Sequence, residues 1–453
     1  MTTTQTNAGP IKAKHRDAII QSLRAGVVPR VGQQHIQVGR HDEVKALVAD
    51  IDRTADGGAS IRFVIGEYGS GKTFFLNLVR SIALERNLVA INADLSPDRR
   101  LHATGGQARS LYAELMRNIA TRSKPDGGAM ASVVEKFVTS ALGEARSGGV
   151  PVEEVIRTRL ASLQELVGGY DFAQVIEAYW RGHDSGNEEL KDAALRWLRG
   201  EYTTKTDART HLGVRTIVGD ANVYDQLKLF ARFVRLAGYG GLLIVLDELV
   251  NLYKLANSQA RNSNYEQILR ILNDVLQGSA EGMGVLLGGT PELLLDTRRG
   301  LYSYSALQSR LAQNQFATNG LVDYSGPVLS LSQLTKEDLY VLLANIRNVY
   351  AAGDASRYLV PDDALEAFMH HCSTRIGDAY FRTPRNTVTA FVSFLSVLEQ
   401  NAQANWRELL GAIDIVVERN PDLEGEIDDD TPAAVAAAPA ESGEDDELAS
   451  FRI

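Results

Sequence analysis

Residues 66–73 read Gly-Glu-Tyr-Gly-Ser-Gly-Lys-Thr, which places Gly66, Gly71, Lys72 and Thr73 at the spacing G-x-x-x-x-G-K-[ST]. The apolar run Ile61-Arg62-Phe63-Val64-Ile65 precedes them, so a strand runs into a glycine loop and then into a helix. Such a loop wraps a phosphate with backbone N–H groups, and the helix adds its positive N-terminal end. Lys72 brings a point charge and Thr73 a hydroxyl for Mg²⁺. Glu67, Tyr68, Gly69 and Ser70 complete the loop, and Phe74 follows Thr73 into the helix. This chemistry is the holding of nucleotide phosphates.

Two acids supply what a phosphate loop lacks. Gly241-Leu242-Leu243-Ile244-Val245-Leu246 runs directly into Asp247-Glu248, which places Asp247 to hold Mg²⁺ through water and Glu248 to orient an attacking water. Adjacent acids at a strand end also occur as a solvated turn, but here they follow a phosphate loop and a buried strand. Thr290 closes a second apolar run, Val285-Leu286-Leu287-Gly288-Gly289. It can stand beside a γ-phosphate or cap a helix beginning at Pro291, and both uses are open to it. Among the cations, Arg385 in Phe381-Arg382-Thr383-Pro384-Arg385-Asn386 can reach phosphates from a C-terminal helical lid. Arg310 in Gln308-Ser309-Arg310-Leu311 can enter a neighbouring subunit's site as an arginine finger. Arg298 and Arg299 compete for that role, and each of these arginines can equally be a surface ion-pair member.

The elements that must position these groups follow from periodicity and breakers. A helix is expected over 15–25, ended by Gly26 and Pro29, and another from Asp42, whose carboxylate can cap it. Leu88-Val89-Ala90-Ile91-Asn92-Ala93-Asp94 reads as a buried strand. Residues 100–235 carry helical spacing (Val133, Val134, Phe137, Val138) with glycine breaks at 127–128, 148–149, 168–169 and 182–186. Residues 334–410 are helical again. The expected fold is therefore α/β: a nucleotide-binding core over 15–330 with a parallel sheet and a helical insertion at 100–235, then a helical lid at 331–420. Residues 1–14 are expected to be flexible and 421–453 a disordered acidic tail.

Composition narrows the remaining classes. The 453 residues suffice for two or three domains, and the single cysteine, Cys372, excludes an intramolecular disulfide and suits a reducing cytoplasm. The N-terminal MTTTQTNAGP lacks a signal peptide's apolar segment, and no run approaches a membrane span, so a cytoplasmic protein without membrane attachment is expected. From Pro421 onward eleven acids and one base carry the whole formal charge of −10, and the other 420 residues hold 46 charges of each sign. Net charge therefore neither favours nor opposes DNA. The basic residues are scattered, so a nucleic-acid surface cannot be read off the chain, and DNA would bind across an assembly or with a partner. The guanine-reading motif NKxD is missing after Asp247, and the stretch beyond Thr290 is too short for a second helicase core. His370-His371-Cys372 point in different directions on a helix, and Trp180, Trp197 and Trp406 suit a core.

The order of parts, Val38-Gly39-Arg40 with Glu43, GEYGSGKT, LLIVLDE, GGTP, the Ser309-Arg310 pair and the Thr383-Pro384-Arg385 segment, resembles the AAA+ ATPases of the initiator and loader type and the related STAND switch ATPases. The resemblance spans about residues 15–410. It implies ATP with Mg²⁺ as ligands and Val38, Gly39 and Arg40 beside the adenine. It also implies Thr290 as the first sensor, Arg385 as the second, and a homo-oligomer. Residues 15–40 together with GEYGSGKTFFL and GLYSYSALQSRL are similar to the P-loop proteins called BrxD in BREX-type phage-defence islands, which are encoded beside a DNA helicase. That similarity implies an ATPase acting on DNA or with a helicase or another defence-island protein. The alternative of a slow regulatory switch that binds a protein partner in its ATP state stays open. Initiator proteins usually carry a winged-helix domain after the lid, and here too few residues separate the last helical segment from the acidic tail to hold one. The distance from Lys72 to Asp247 is also long for a minimal core.

Overall fold

The computed structural model describes residues 10–317, 322–377, 379–382, 384–401 and 403–412. The expected acidic tail and residues 1–9 of the expected flexible N-terminus lie outside them. Five strands form one sheet: β1 Ser60–Ile65, β2 Val89–Asp94, β3 Leu242–Asp247, β4 Met283–Gly289 and β5 Val328–Ser330. Their order is β2-β3-β4-β1-β5 and every pairing is parallel. The expected α/β class is what the chain adopts. β5 is an addition: the short run Val328-Leu329-Ser330 carries too little periodicity to announce itself, and it pairs with the exposed edge of β1.

Side chains of the strands alternate between two buried faces, which is why these segments are apolar throughout rather than every second residue. On one face Ile61, Phe63, Ile91, Ile244 and Val285 pack with Leu111, Leu115, Phe230, Val234, Ile268 and Leu272 from helices Gln107–Arg117, Val223–Leu236 and Ser258–Leu276. On the other, Val64, Ala90, Val245 and Leu286 pack with Leu47 and Ile51 of helix His41–Ala55 and with Phe75, Leu76 and Val79 of helix Lys72–Glu85. A buried cation interrupts this second face. Arg62 sits at the centre of β1, 6 % exposed, and its Nε donates to Asp50 Oδ2 at 2.5 Å. It also donates to the Gly326 carbonyl. A buried charge survives only when paired, so the ion pair clamps helix His41–Ala55 onto the sheet.

Between β2 and β3 lie seven α-helices, Gln107–Arg117 through Val223–Leu236. Their apolar faces join the same core as the sheet. Gly149, Gly168 and Gly186 fall at helix ends with positive φ, as breakers do. Gly182 instead lies inside helix Gly169–Ser185, where a Cβ would meet Lys191 Cγ at 2.8 Å and the Asn187 carbonyl at 2.9 Å. It lets helix Glu188–Leu198 pack close. Helix His41–Ala55 begins one residue before Asp42, so that carboxylate lies in the first turn beside the helix dipole and does not cap it.

A separate apolar cluster holds the C-terminal helices Lys336–Tyr350, Asp362–Ile376 and Pro384–Gln400, and the N-terminal helix Ala13–Arg24 packs into it through Ile19 and Ile20. Arg24 Nη2 donates to Ser396 Oγ at 2.7 Å and Arg16 Nε to the Tyr350 carbonyl at 2.9 Å. These N-terminal and C-terminal helices thus form one helical body. Among the described residues no helix is long and apolar enough to cross a membrane.

Candidate functional site

β1 ends at Ile65, and the chain turns through a loop in which Gly69 and Gly71 take φ of 74° and 85° before helix Lys72–Glu85 begins. Glycine makes those left-handed positions inexpensive. Gly66 is needed for a different reason: a Cβ there would lie 2.7 Å from Ser70 Oγ. The Gly66 N–H is tied to the Gly289 carbonyl at 3.1 Å, which fixes the loop to the end of β4. Lys72 Nζ donates to the carbonyls of Gly66 and Glu67 at 2.9 and 3.2 Å, so its ammonium is held over the loop.

β3 brings Asp247 alongside. Asp247 lies on the same sheet face as the helix Lys72–Glu85, and Thr73 Oγ1 donates to its Oδ2 at 2.7 Å. Its Oδ1 accepts the Glu248 N–H at 2.8 Å. Gly288 on β4 makes room for this carboxylate, since a Cβ there would stand 2.3 Å from Asp247 Oδ1. Glu248 has φ of 59°, a left-handed backbone uncommon for a residue with a side chain, and it lines the cavity at this sheet edge. Asp94, at the end of β2, is the register partner of Asp247. Partial desolvation first, and the neighbouring Asp247 charge second, hold its carboxyl above the usual aspartate range. Thr73, Asp247 and Asp94 are oxygen donors at one sheet edge, a chemistry suited to Mg²⁺.

The cavity has a volume of about 420 Å³ and a lining of two kinds. Residues 68–73 of the loop, Arg40, Glu248 and Arg385 bring polar and cationic groups to it, and Leu23, Val28, Ile36, Val38, Leu342 and Val388 bring apolar ones. A cavity that offers both is complementary to a nucleotide's phosphates and base. The apolar wall comes from both ends of the chain, and sequence spacing carried no signal for it; Val38 was expected there from the family resemblance alone.

The other candidate residues are dispersed. Arg40 has φ of 55°, and its Nη2 donates to the Ser70 carbonyl and, at 3.3 Å, to that of Ser332. Burial lowers the pKa of its guanidinium, opposed by Glu43 and Asp338. Gly39 is exposed against Asp338. Thr290 is buried and accepts the Leu293 N–H at 3.5 Å as N-cap of helix Pro291–Leu295; its side chain lies outside the cavity lining. Arg385 lines the cavity and donates from Nη1 to Tyr68 Oη at 3.1 Å. Arg310 is exposed and its Nη1 turns back to the Ala306 carbonyl at 2.9 Å. Arg298 is also exposed, whereas Arg299 is half-buried, with Nη2 at 3.4 Å from the Tyr253 and Leu255 carbonyls. Arg299 thus serves the fold. Cys372, Trp180 and Trp197 are buried, and among the described residues no group of His, Cys, Asp and Glu is arranged to hold a metal by itself.

The fold and cavity define an α/β protein with a candidate ligand site at the carboxyl edge of a parallel sheet. A family model described as BREX system ATP-binding protein BrxC/D matches residues 11–414, and the chain belongs to that family. No curated protein matches it. It is therefore an ATP-binding protein of a BREX defence system.

Proposed function

We propose that the chain hydrolyses ATP at this cavity and uses the turnover to move its C-terminal helices against the sheet. The observation carrying this is the Thr73–Asp247 hydrogen bond of 2.7 Å, with Glu248 lining the same cavity beside Lys72. In this reading the loop N–H groups and Lys72 hold the phosphates, and Glu248 orients the attacking water and receives its proton. Thr73 and Asp247 hold Mg²⁺, which supplies charge neutralisation at the phosphates. Val38 and its apolar neighbours take the adenine. Arg385 senses the γ-phosphate from the cavity wall, Thr290 joins it once its hydroxyl leaves the helix cap it holds here, and Arg310 completes the site of an adjacent copy in a homo-oligomer.

The work done belongs, on this proposal, to BREX defence: action on DNA or on a partner helicase of the same system. One observation favours the slower switch as a second reading. The loop is already joined to the chain leading into the C-terminal helices through Arg40 and Ser332, an arrangement suited to one conformational change per nucleotide. The discriminating experiment is steady-state phosphate release with and without duplex DNA, for wild type and Glu248→Gln. A motor shows DNA-stimulated turnover that Glu248→Gln removes while ATP binding persists. Retained turnover in Glu248→Gln removes the catalytic assignment.

A further inference from the structure

We propose that Tyr68 is a positioning residue acting through Arg385: its hydroxyl tethers the C-terminal helices to the phosphate loop across the cavity rim and sets how long a nucleotide stays bound. This rests on the proposal that ATP occupies the cavity.

Tyr68 occupies a loop position that the phosphate-binding spacing leaves free, and the side chain there is half-buried with its hydroxyl at the surface. Arg385 comes from the opposite wall. It lies in the first turn of helix Pro384–Gln400, whose Val388, Phe391 and Leu395 are packed in the C-terminal cluster. The arginine therefore follows that helical body and not the sheet. A cation in the first turn opposes the helix dipole, so the dipole does not explain this residue at this place. Its guanidinium instead meets neighbours outside the helix. Nη1 donates to Tyr68 Oη at 3.1 Å, and a Cβ on Gly26 would lie 3.2 Å from its Nε. Gly26, Tyr68 and Arg385 all line the same cavity.

The contact differs in kind from the one that Arg40 makes. Arg40 joins the loop to Ser332 through backbone carbonyls, which no side-chain change in the loop would remove. The Tyr68–Arg385 contact is side chain to side chain and solvent-facing, so it can break and re-form as nucleotide enters and leaves. Phenylalanine at position 68 keeps the ring and removes only the acceptor.

The test is stopped-flow release of a fluorescent methylanthraniloyl-ADP from the full chain, for wild type, Tyr68→Phe, Arg385→Ala and the double variant. Tyr68→Phe should release nucleotide about fivefold faster, the factor that matches the net worth of one ordinary intramolecular hydrogen bond, with the thermal midpoint unchanged. In the Arg385→Ala background the same substitution should add nothing, since the two act as one unit. Unchanged release in Tyr68→Phe, or additive effects in the double variant, overturns the tether while the nucleotide site stands. A wild-type chain that binds no nucleotide overturns the site assignment itself, and the tether with it.

Discussion

Gly288→Ala is a small change with a large expected effect, because the new methyl group enters the space of the Asp247 carboxylate. A Cβ at 288 would stand 2.3 Å from Asp247 Oδ1 and 2.8 Å from Leu76 Cδ1. Leu76 can turn its terminal methyl aside. The carboxylate is held at both oxygens, by the Glu248 N–H at 2.8 Å and the Thr73 hydroxyl at 2.7 Å, and it must retreat by about 1 Å to regain ordinary contact. Such a shift disturbs the geometry of both hydrogen bonds. Overpacking of this kind costs about 1–3 kcal/mol of stability, which a core of this size tolerates. A displacement of about 1 Å at a reacting centre costs on the order of 100-fold in rate. Phosphate release at saturating Mg-ATP should therefore fall about 100-fold, while nucleotide affinity measured in EDTA stays near wild type, because Lys72 and the loop N–H groups are untouched. Turnover within twofold of wild type, in a chain whose unfolding confirms native stability, would refute the placement of Asp247 in the reaction.

Arg310→Ala should abolish turnover yet leave ATP binding intact, and mixing it with Lys72→Ala protein should restore part of the rate; absence of rescue removes the trans-acting finger. Asp50→Ala leaves Arg62 buried without its partner and should cost about 3–5 kcal/mol in denaturant unfolding. The double change Asp50→Leu with Arg62→Met should cost less than that single one, and a larger loss would show the pair is not the clamp. Cys372 is fully buried and burial pushes its thiol up to about 12, so a disulfide reagent at pH 8 should find no reactive thiol in the native chain and one in denaturant. Rapid labelling of the native chain would mean that the C-terminal cluster opens readily.

The chemistry of the phosphate loop was legible because it is local: Gly66, Gly71, Lys72 and Thr73 act within eight residues, and glycine spacing, strand and helix are all written in that stretch. The four longer strands were legible for a related reason, since burial on both faces leaves uninterrupted apolar runs such as Leu242-Leu243-Ile244-Val245-Leu246. β5 was not, because three residues hold no period. Asp94 was visible only as the last residue of a strand; its pairing with Asp247 is a product of strand order. The need for glycine at 288 follows only from Asp247 beside it on the neighbouring strand.

By itself, then, the sequence determined the α/β class, the loop that can hold phosphates and the acids that can act beside it, since each depends on near neighbours in the chain. Tertiary structure decided what those groups face. It closed the cavity with Leu23, Val28 and Arg40 from one end of the chain and Leu342 and Arg385 from the other. It set Tyr68 against Arg385, 317 positions apart. It also sent Arg299 inward and left Arg310 exposed. Such contacts depend on how helices pack around a sheet, and packing joins residues according to shape and burial, whatever their separation along the chain.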